Sequence, residues 1–245
     1  MDQLKNLADD RLINGCIYCG GVAETRDHVP SRILLEQPYP ENLPVVGCCE
    51  QCNQGFSQDE EYVVCLIEAV LAGSANPDGI RRSGVARSLR RSPALQARIN
   101  AARREVDGRI EFAVEKDRMM NVMLKLARGH AAFELSQPCR KAPDHFWCGP
   151  LGSMSDEMRE SFNAAHVQQM FGEVGSRGLQ RMLVTQLVVR SPTGEESQVG
   201  LLLNDWVDVQ DGYYRYLAID DIGGLVIRIV VADYLACEVA WRINE

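Results

Sequence analysis

Read for the spacing of its apolar positions, the chain divides into a helical middle and a strand-rich final third. Phe56, Val63, Val64, Ile67 and Val70 fall near one stripe of a helix from Asn53 to about Leu71. Ser57-Gln58-Asp59-Glu60 has capping-box form, so that helix alternatively begins at Ser57 and leaves Asn53 in the turn before it. Met119, Val122, Met123, Leu126 and Phe133 recur at helical spacing and predict a second amphipathic helix over Arg118–Leu135. Beyond Met182 the pattern shortens to strands, expected at 182–189, 198–203, 206–210, 213–219, 225–231 and 234–241. Asp211-Gly212 between two of them is a hairpin signal, because a tight turn there needs positive φ.

The rest reads less regularly. Residues Asp2 to Leu12 suggest a short lead-in helix, with Leu4, Leu7 and Leu12 loosely on one side. Val22 to Val29 reads as a strand stopped by Pro30, and Pro38 and Pro40 make the stretch to Pro44 mostly loop. Leu43 to Val46 reads as a short second strand. Ala72 to Gly79 is linker-like, and an arginine-rich segment follows, helical in two pieces divided near Pro93. Arg109 to Val114 is expected as a strand, Cys139 to Gly152 as irregular chain, and Ser155 to Val167 as a surface helix. The expected class is α+β, with one unit over 1–72 and a helical plus antiparallel-sheet unit over 73–245.

Composition removes several classes of protein. The 245 residues carry no low-complexity tract, and no window approaches the roughly 20 apolar residues of a membrane span. A charged start, Met1-Asp2-Gln3-Leu4-Lys5, does not read as a signal peptide, so a cytoplasmic protein is expected. Nine cysteines, an odd number without a secretory signal, argue against a disulfide framework. The net charge of −8 opposes a nucleic-acid partner, but phosphate responds to the local field. Between Arg81 and Arg109 the only acids are Glu105 and Asp107, against nine arginines. Arg81, Arg82, Arg90, Arg91, Arg103 and Arg104 are therefore the candidate phosphate contacts, the plain alternative being a solvated helical face.

The candidate chemistry lies in the first quarter. Cys16-Ile17-Tyr18-Cys19 and Cys49-Glu50-Gln51-Cys52 are two Cys-x-x-Cys knuckles, and two such pairs suit tetrahedral zinc. Cys48 competes with Cys49 for the third position, and the repeated two-residue gap favours Cys49. Between the knuckles stand Asp27-His28 and Asn42-Leu43, and Asn53 follows the last cysteine. His28 is a natural general base, since imidazole titrates near neutral pH. His130, His145 and His166 have no metal-like spacing and read as structural or surface residues, and the three tryptophans read as core or sheet residues.

In order, spacing and residue type, this stretch resembles the zinc-containing branch of the HNH nucleases, the ββα-metal family. The resemblance implies two strands and a helix around a structural zinc on Cys16, Cys19, Cys49 and Cys52. It also implies a catalytic Mg²⁺ or Mn²⁺ on Asp27 and Asn53, with His28 activating water and Asn42 bracing the loop. Where the family has His or Asn after the last cysteine, this chain has Asn. The activity so implied is phosphodiester hydrolysis, with DNA preferred over RNA as substrate and a homodimer as one possible assembly. A zinc module that binds nucleic acid or protein without cutting, and a ribonuclease, are the alternatives.

Overall fold

A computed structural model describes residues 6–242. After a 3-10 turn at Asp10–Ile13, the chain forms β1 (Thr25–His28) and β2 (Val45–Cys48), an antiparallel pair in which Asp27 faces Val46 and His28 faces Val45. Helix α1 (Glu50–Gly55) leaves directly from β2, and α2 (Ser57–Ala72) follows across a break at Phe56. Then come α3 (Ser83–Arg91), α4 (Pro93–Ala101) and the hairpin of β3 (Arg103–Val106) with β4 (Arg109–Phe112). The long α5 (Lys116–Leu135) leads to β5 (His145–Pro150), α6 (Asp156–Asn163) and β6 (His166–Gln168). The last third holds α7 (Arg177–Arg181), β7 (Leu183–Arg190), β8 (Glu196–Asn204), β9 (Val207–Gln210), β10 (Tyr214–Asp221), β11 (Gly224–Val231) and β12 (Leu235–Trp241).

The protein is thus a mixture of helix and sheet, as α+β implies. Five strands form one antiparallel sheet in the order β5-β12-β11-β10-β9. Its period-2 pattern is visible in what it buries: Tyr214, Tyr216 and Ala218 on β10, Ile227, Ile229 and Val231 on β11, and Cys237, Val239 and Trp241 on β12 all join the main core. Helices α2 and α5 fill the other side of that core with Val63, Leu66, Ile67, Met123 and Leu126. A smaller cluster under α6, built on Met154, Phe162, Val230 and Ala236, covers the sheet's second face. Among the described residues no helix is long and apolar enough to cross a membrane.

Several elements differ from the sequence expectation. The part of the lead-in helix that lies in the described residues is only the 3-10 turn, capped by the Asp9 carboxylate on the Arg11 amide; Leu7 stays 70% exposed, so no apolar stripe buries. Asp2–Lys5, the start of that expected helix, fall outside the described residues. The helix expected from Asn53 or Ser57 is two helices: α1 already contains Asn53, and α2 begins at Ser57. The capping box does not form there, because the Ser57 hydroxyl donates backward to the Gln54 carbonyl. The strand at 109–112 has a partner, β3, that the arginine pattern hid. The signal for it is Asp107-Gly108, both at positive φ (51° and 73°), as a two-residue hairpin turn requires.

The stretch at 139–152, expected to be irregular, contains β5. It is an edge strand ending in Pro150, and edge positions tolerate a proline that a central strand would not. The surface helix at 155–167 ends at Asn163, and β6 takes up its last residues. At Asp211-Gly212 the expected turn joins β9 to β10, with Gly212 at φ 70°.

Candidate metal centre

The two knuckles meet. The sulfur atoms of Cys16, Cys19, Cys49 and Cys52 all lie within 4.8 Å of one another, with Cys19 Sγ and Cys49 Sγ 3.7 Å apart. Tetrahedral zinc with Zn–S bonds of about 2.3 Å sets its sulfurs about 3.8 Å apart, so the four thiols fit that ion. All nine cysteines are free thiols. Cys48 is not in the cluster: its Sγ donates to the Cys49 carbonyl inside a buried apolar group, and burial pushes its thiol up to about 12. Cys49 thus stands as the third thiol.

Local backbone geometry builds this centre. In the first knuckle the Cys16 amide bonds the Gly21 carbonyl at 2.7 Å and the Gly20 amide bonds the Cys16 carbonyl at 2.8 Å. Gly15 and Gly20 sit at φ 79° and 83°, a region glycine enters without a Cβ penalty. The Ile17 amide reaches the Gly47 carbonyl of β2 at 3.1 Å, which ties the first knuckle to the strand carrying the second. Cys49 caps α1, its sulfur accepting from the Cys52 amide at 3.4 Å. Burial raises the Cys16 thiol, but the amides of Cys49, Cys19 and Tyr18 outweigh it and hold the group at about 6. Cys19 and Cys52 are shifted upward, Cys52 chiefly by burial, so without an ion the cluster favours one thiolate among thiols. Arg140, from the loop after α5, donates to the carbonyls of Asn14 and Cys16 and clamps the knuckle to the body.

Beside the thiols stands the Asp27-His28 pair. Asp27 is buried, and its Oδ2 accepts from the Tyr18 hydroxyl at 2.8 Å and lies 2.9 Å from Lys125 Nζ. Lys125, itself 2% exposed, also meets Glu60 Oε1 at 2.6 Å and Ser31 Oγ at 2.5 Å. One buried ammonium from α5 therefore serves two carboxylates, one from β1 and one from α2, and sits 5.6 Å from the Phe56 ring centroid. Burying a charge is tolerable only when it is paired and hydrogen-bonded, and Lys125 is both. No spacing in the sequence announces Lys125, Tyr18 or Glu60 as members of this group.

His28 is half-buried at the end of β1, and its Nδ1 is buried without a hydrogen-bond partner. Burial and then the Arg32 charge lower its pKa, Asp27 pulls it upward, and Lys125 adds a lesser downward push, so the net shift favours the neutral ring. Asn53, on α1, donates through its Nδ2 to Thr25 Oγ1 at 3.2 Å, and Thr25 shares a side of β1 with Asp27 because strand side chains alternate. Asn42 is half-buried in the loop that leads to β2. Among the described residues, the four cysteines are the one group of three or more Cys, His, Asp or Glu with ligand atoms close enough for an ion.

The arginine segment is basic but largely engaged. Arg90 pairs with Asp78 at 2.8 Å, Arg91 with Glu61 at 3.2 Å, and Arg103 donates to the Gly73 carbonyl. Arg81 lies over the Tyr213 ring, and Arg104 is exposed on β3. Arg82 is different: it is 6% exposed, pairs with Glu36 and donates to the carbonyls of Ile33 and Leu35. It is buried and holds the Pro-rich loop to α3. Of the remaining histidines, His130 is fully buried, stacked on Tyr216 and bonded to the Tyr214 hydroxyl; His166 pairs with Asp221 at 2.7 Å; His145 is exposed.

No protein family, no curated protein and no solved structure matches this chain.

Proposed function

We propose that this protein is a metal-dependent nuclease of the HNH type that hydrolyses phosphodiester bonds, with DNA as the first-choice substrate. The observation that carries the proposal is a juxtaposition. Asp27 and His28 end the strand that follows the first knuckle, and Asn53, directly after the second, reaches Thr25 on Asp27's side of that strand. The zinc-compatible thiols hold both segments in register. This supports the ββα-metal likeness, in which the same residue types stand around one ion.

Asp27 and the side-chain oxygen of Asn53 would hold the catalytic ion, and hard oxygen donors in small number suit Mg²⁺ or Mn²⁺. When bound, such an ion relieves the negative charge that builds on the phosphate and its leaving oxygen. Tyr18 and Lys125 fix Asp27 by one oxygen, Oδ2, which aims Oδ1. The neutral ring of His28 takes the proton from the attacking water. In the family likeness Asn42 braces the loop that orients His28. The exposed arginines Arg81, Arg90, Arg91, Arg103 and Arg104 would supply non-specific phosphate contacts.

One observation favours a second reading, a zinc module that binds nucleic acid or protein without cutting. Asp27 is 7% exposed and already has a cation at 2.9 Å, so a divalent ion must compete with Lys125 for its carboxylate. A cleavage assay on plasmid DNA and on RNA, with Mg²⁺, Mn²⁺ or EDTA, separates the two. Wild type should cut in the presence of metal, and His28→Ala should cut more slowly by about 10²–10⁴ with zinc content unchanged. Asp27→Ala and Asn53→Ala should raise the Mg²⁺ concentration required. Equal cutting by wild type and His28→Ala defeats the mechanism; binding without cutting under all metals transfers the protein to the second reading. Cleavage of RNA alone makes it a ribonuclease using the same residues.

A further inference from the structure

Strands β6, β8 and β7 form a three-stranded antiparallel sheet that projects from the body. Its root is anchored: Asn204 Nδ2 donates to the Ala218 carbonyl at 2.7 Å, and His166 bonds Asp221. Its outer part, the β7–β8 hairpin, is exposed along all eight residues of β7 and the first five of β8. The pairing register sorts its side chains onto two faces. On one, Leu183, Leu187, Val189, Val199 and Val167 are each 45–57% exposed, and only Thr185 and Ser197 are polar. Leu201 and Leu203 extend that face, half-buried, to the root. The other face carries Gln186, Gln198 and the Arg190–Glu196 ion pair among its apolar residues.

From this pattern we infer that the uncharged face of the β6–β8–β7 sheet packs against the same face of a second copy of this chain. An amphipathic antiparallel sheet buries one face, and nothing among the described residues covers this one. The chemistry of the face selects its occupant. It bears no cation, so the phosphates of nucleic acid and of acidic lipid have nothing to meet there. The chain has a net charge of −8, so a surface that joins two copies should bring no like charges of its own into contact, and this face carries none.

Area sets the strength of the contact. A hairpin of about eight paired residues is roughly 25 Å long. Two strands run that length and β6 adds only three residues at the root, so two such faces together bury less than the roughly 1,200 Å² at the low end of specific interfaces, the range of a weak dimer that comes apart on dilution. Aligned sheets pack about 10 Å apart with their side chains interdigitated, a geometry open to identical faces related by a two-fold axis.

The full-length, zinc-loaded chain tests this in sedimentation velocity. Wild type should have twice the 27.3 kDa chain mass at high concentration and dissociate on dilution. Leu187→Glu and, independently, Val199→Glu should be monomers with unchanged zinc content, whereas Gln198→Glu, one residue away on the opposite face, should remain a dimer. Hydroxyl-radical footprinting of wild type needs no variant: Leu187 and Val199 should lose reactivity as concentration rises, and Val184 should not. A wild type of single-chain mass at every attainable concentration overturns the proposal. So does a folded Leu187→Glu or Val199→Glu variant that stays dimeric, dissociation by Gln198→Glu, or protection confined to Val184. Co-flotation of wild type with phosphatidylcholine vesicles, lost in Leu187→Glu, would assign the face to a lipid surface instead. Cleavage activity plays no part in these readouts, so they stand or fall apart from the nuclease proposal.

Discussion

Lys125 is the side chain to which most of the candidate site answers. Its ammonium is the one counter-ion that Asp27 and Glu60 share, in a place where neither carboxylate has much access to water. Removing one partner of a buried ion pair typically costs about 3–5 kcal/mol, because the remaining charge is left without a counter-ion. Lys125→Met should therefore lower the urea midpoint by that equivalent while leaving zinc content intact; a loss below about 1 kcal/mol would mean that water or a metal ion already shields the carboxylates. The residue scale is also where the sequence is most uneven as a guide. Cysteines in pairs and an adjacent Asp-His declare themselves, since metal and proton chemistry impose short spacings. Lys125 and Ser31 are 94 positions apart, and Arg140 is 124 from the Cys16 carbonyl it holds. Contacts of that kind are set by packing, and no local pattern encodes them.

Among the elements, α5 is legible from its periodicity and β9–β12 from their alternation and turns, because each has one face committed to the core; β7 and β8, exposed for most of their length, are legible from their run of apolar and β-branched residues instead. The elements that escaped lack that bias. β3 is exposed along its whole length, so it has no buried side to generate a pattern, and β5 at the sheet edge is half-buried on both sides. The arginine-rich elements α3, α4 and β3 raise the question of phosphate binding directly. Ion pairs at Arg90 and Arg91 involve partners that are partly or largely exposed, and surface pairs are worth about 0–1 kcal/mol, so a phosphate can recruit these arginines. Charge reversal at Arg90, Arg91, Arg103 and Arg104 together should weaken DNA binding on all sequences alike and flatten its dependence on salt. An unchanged salt slope in filter-binding or anisotropy titrations would return the segment to a solvated face.

At the scale of the molecule, two apolar clusters meet along α5. One joins Cys16, Ile17, Tyr18, Val29, Val46 and Cys48 to Ala132 and Phe133 of the helix; the other joins Leu34, Leu35 and Leu43 to α2, α5 and the five-stranded sheet. Removal of zinc should therefore act unevenly. A structural zinc contributes on the order of 10 kcal/mol to a small knuckle unit, so chelation should open residues 15–55 to amide exchange. The strands β10–β12, buried against α2 and α5, should keep their protection, and wild type should hold one zinc per chain that Cys16→Ala/Cys52→Ala cannot. Uniform loss of protection would show that the ion supports the whole core.

Gly129 gives this arrangement a further consequence. A methyl group at its Cα would lie 2.5 Å from Val29 Cγ2, so the residue after His28 rests directly on the backbone of α5, one turn from Lys125. The knuckles, strands and α1 are consequently not a portable cassette. Spliced into another scaffold without α5, they would carry a buried Asp27 with no cation beside it, and Val29 with no groove to enter. Whatever lineage donates such a segment must donate its helix too, and swaps between relatives should succeed only when the cut falls beyond Arg140.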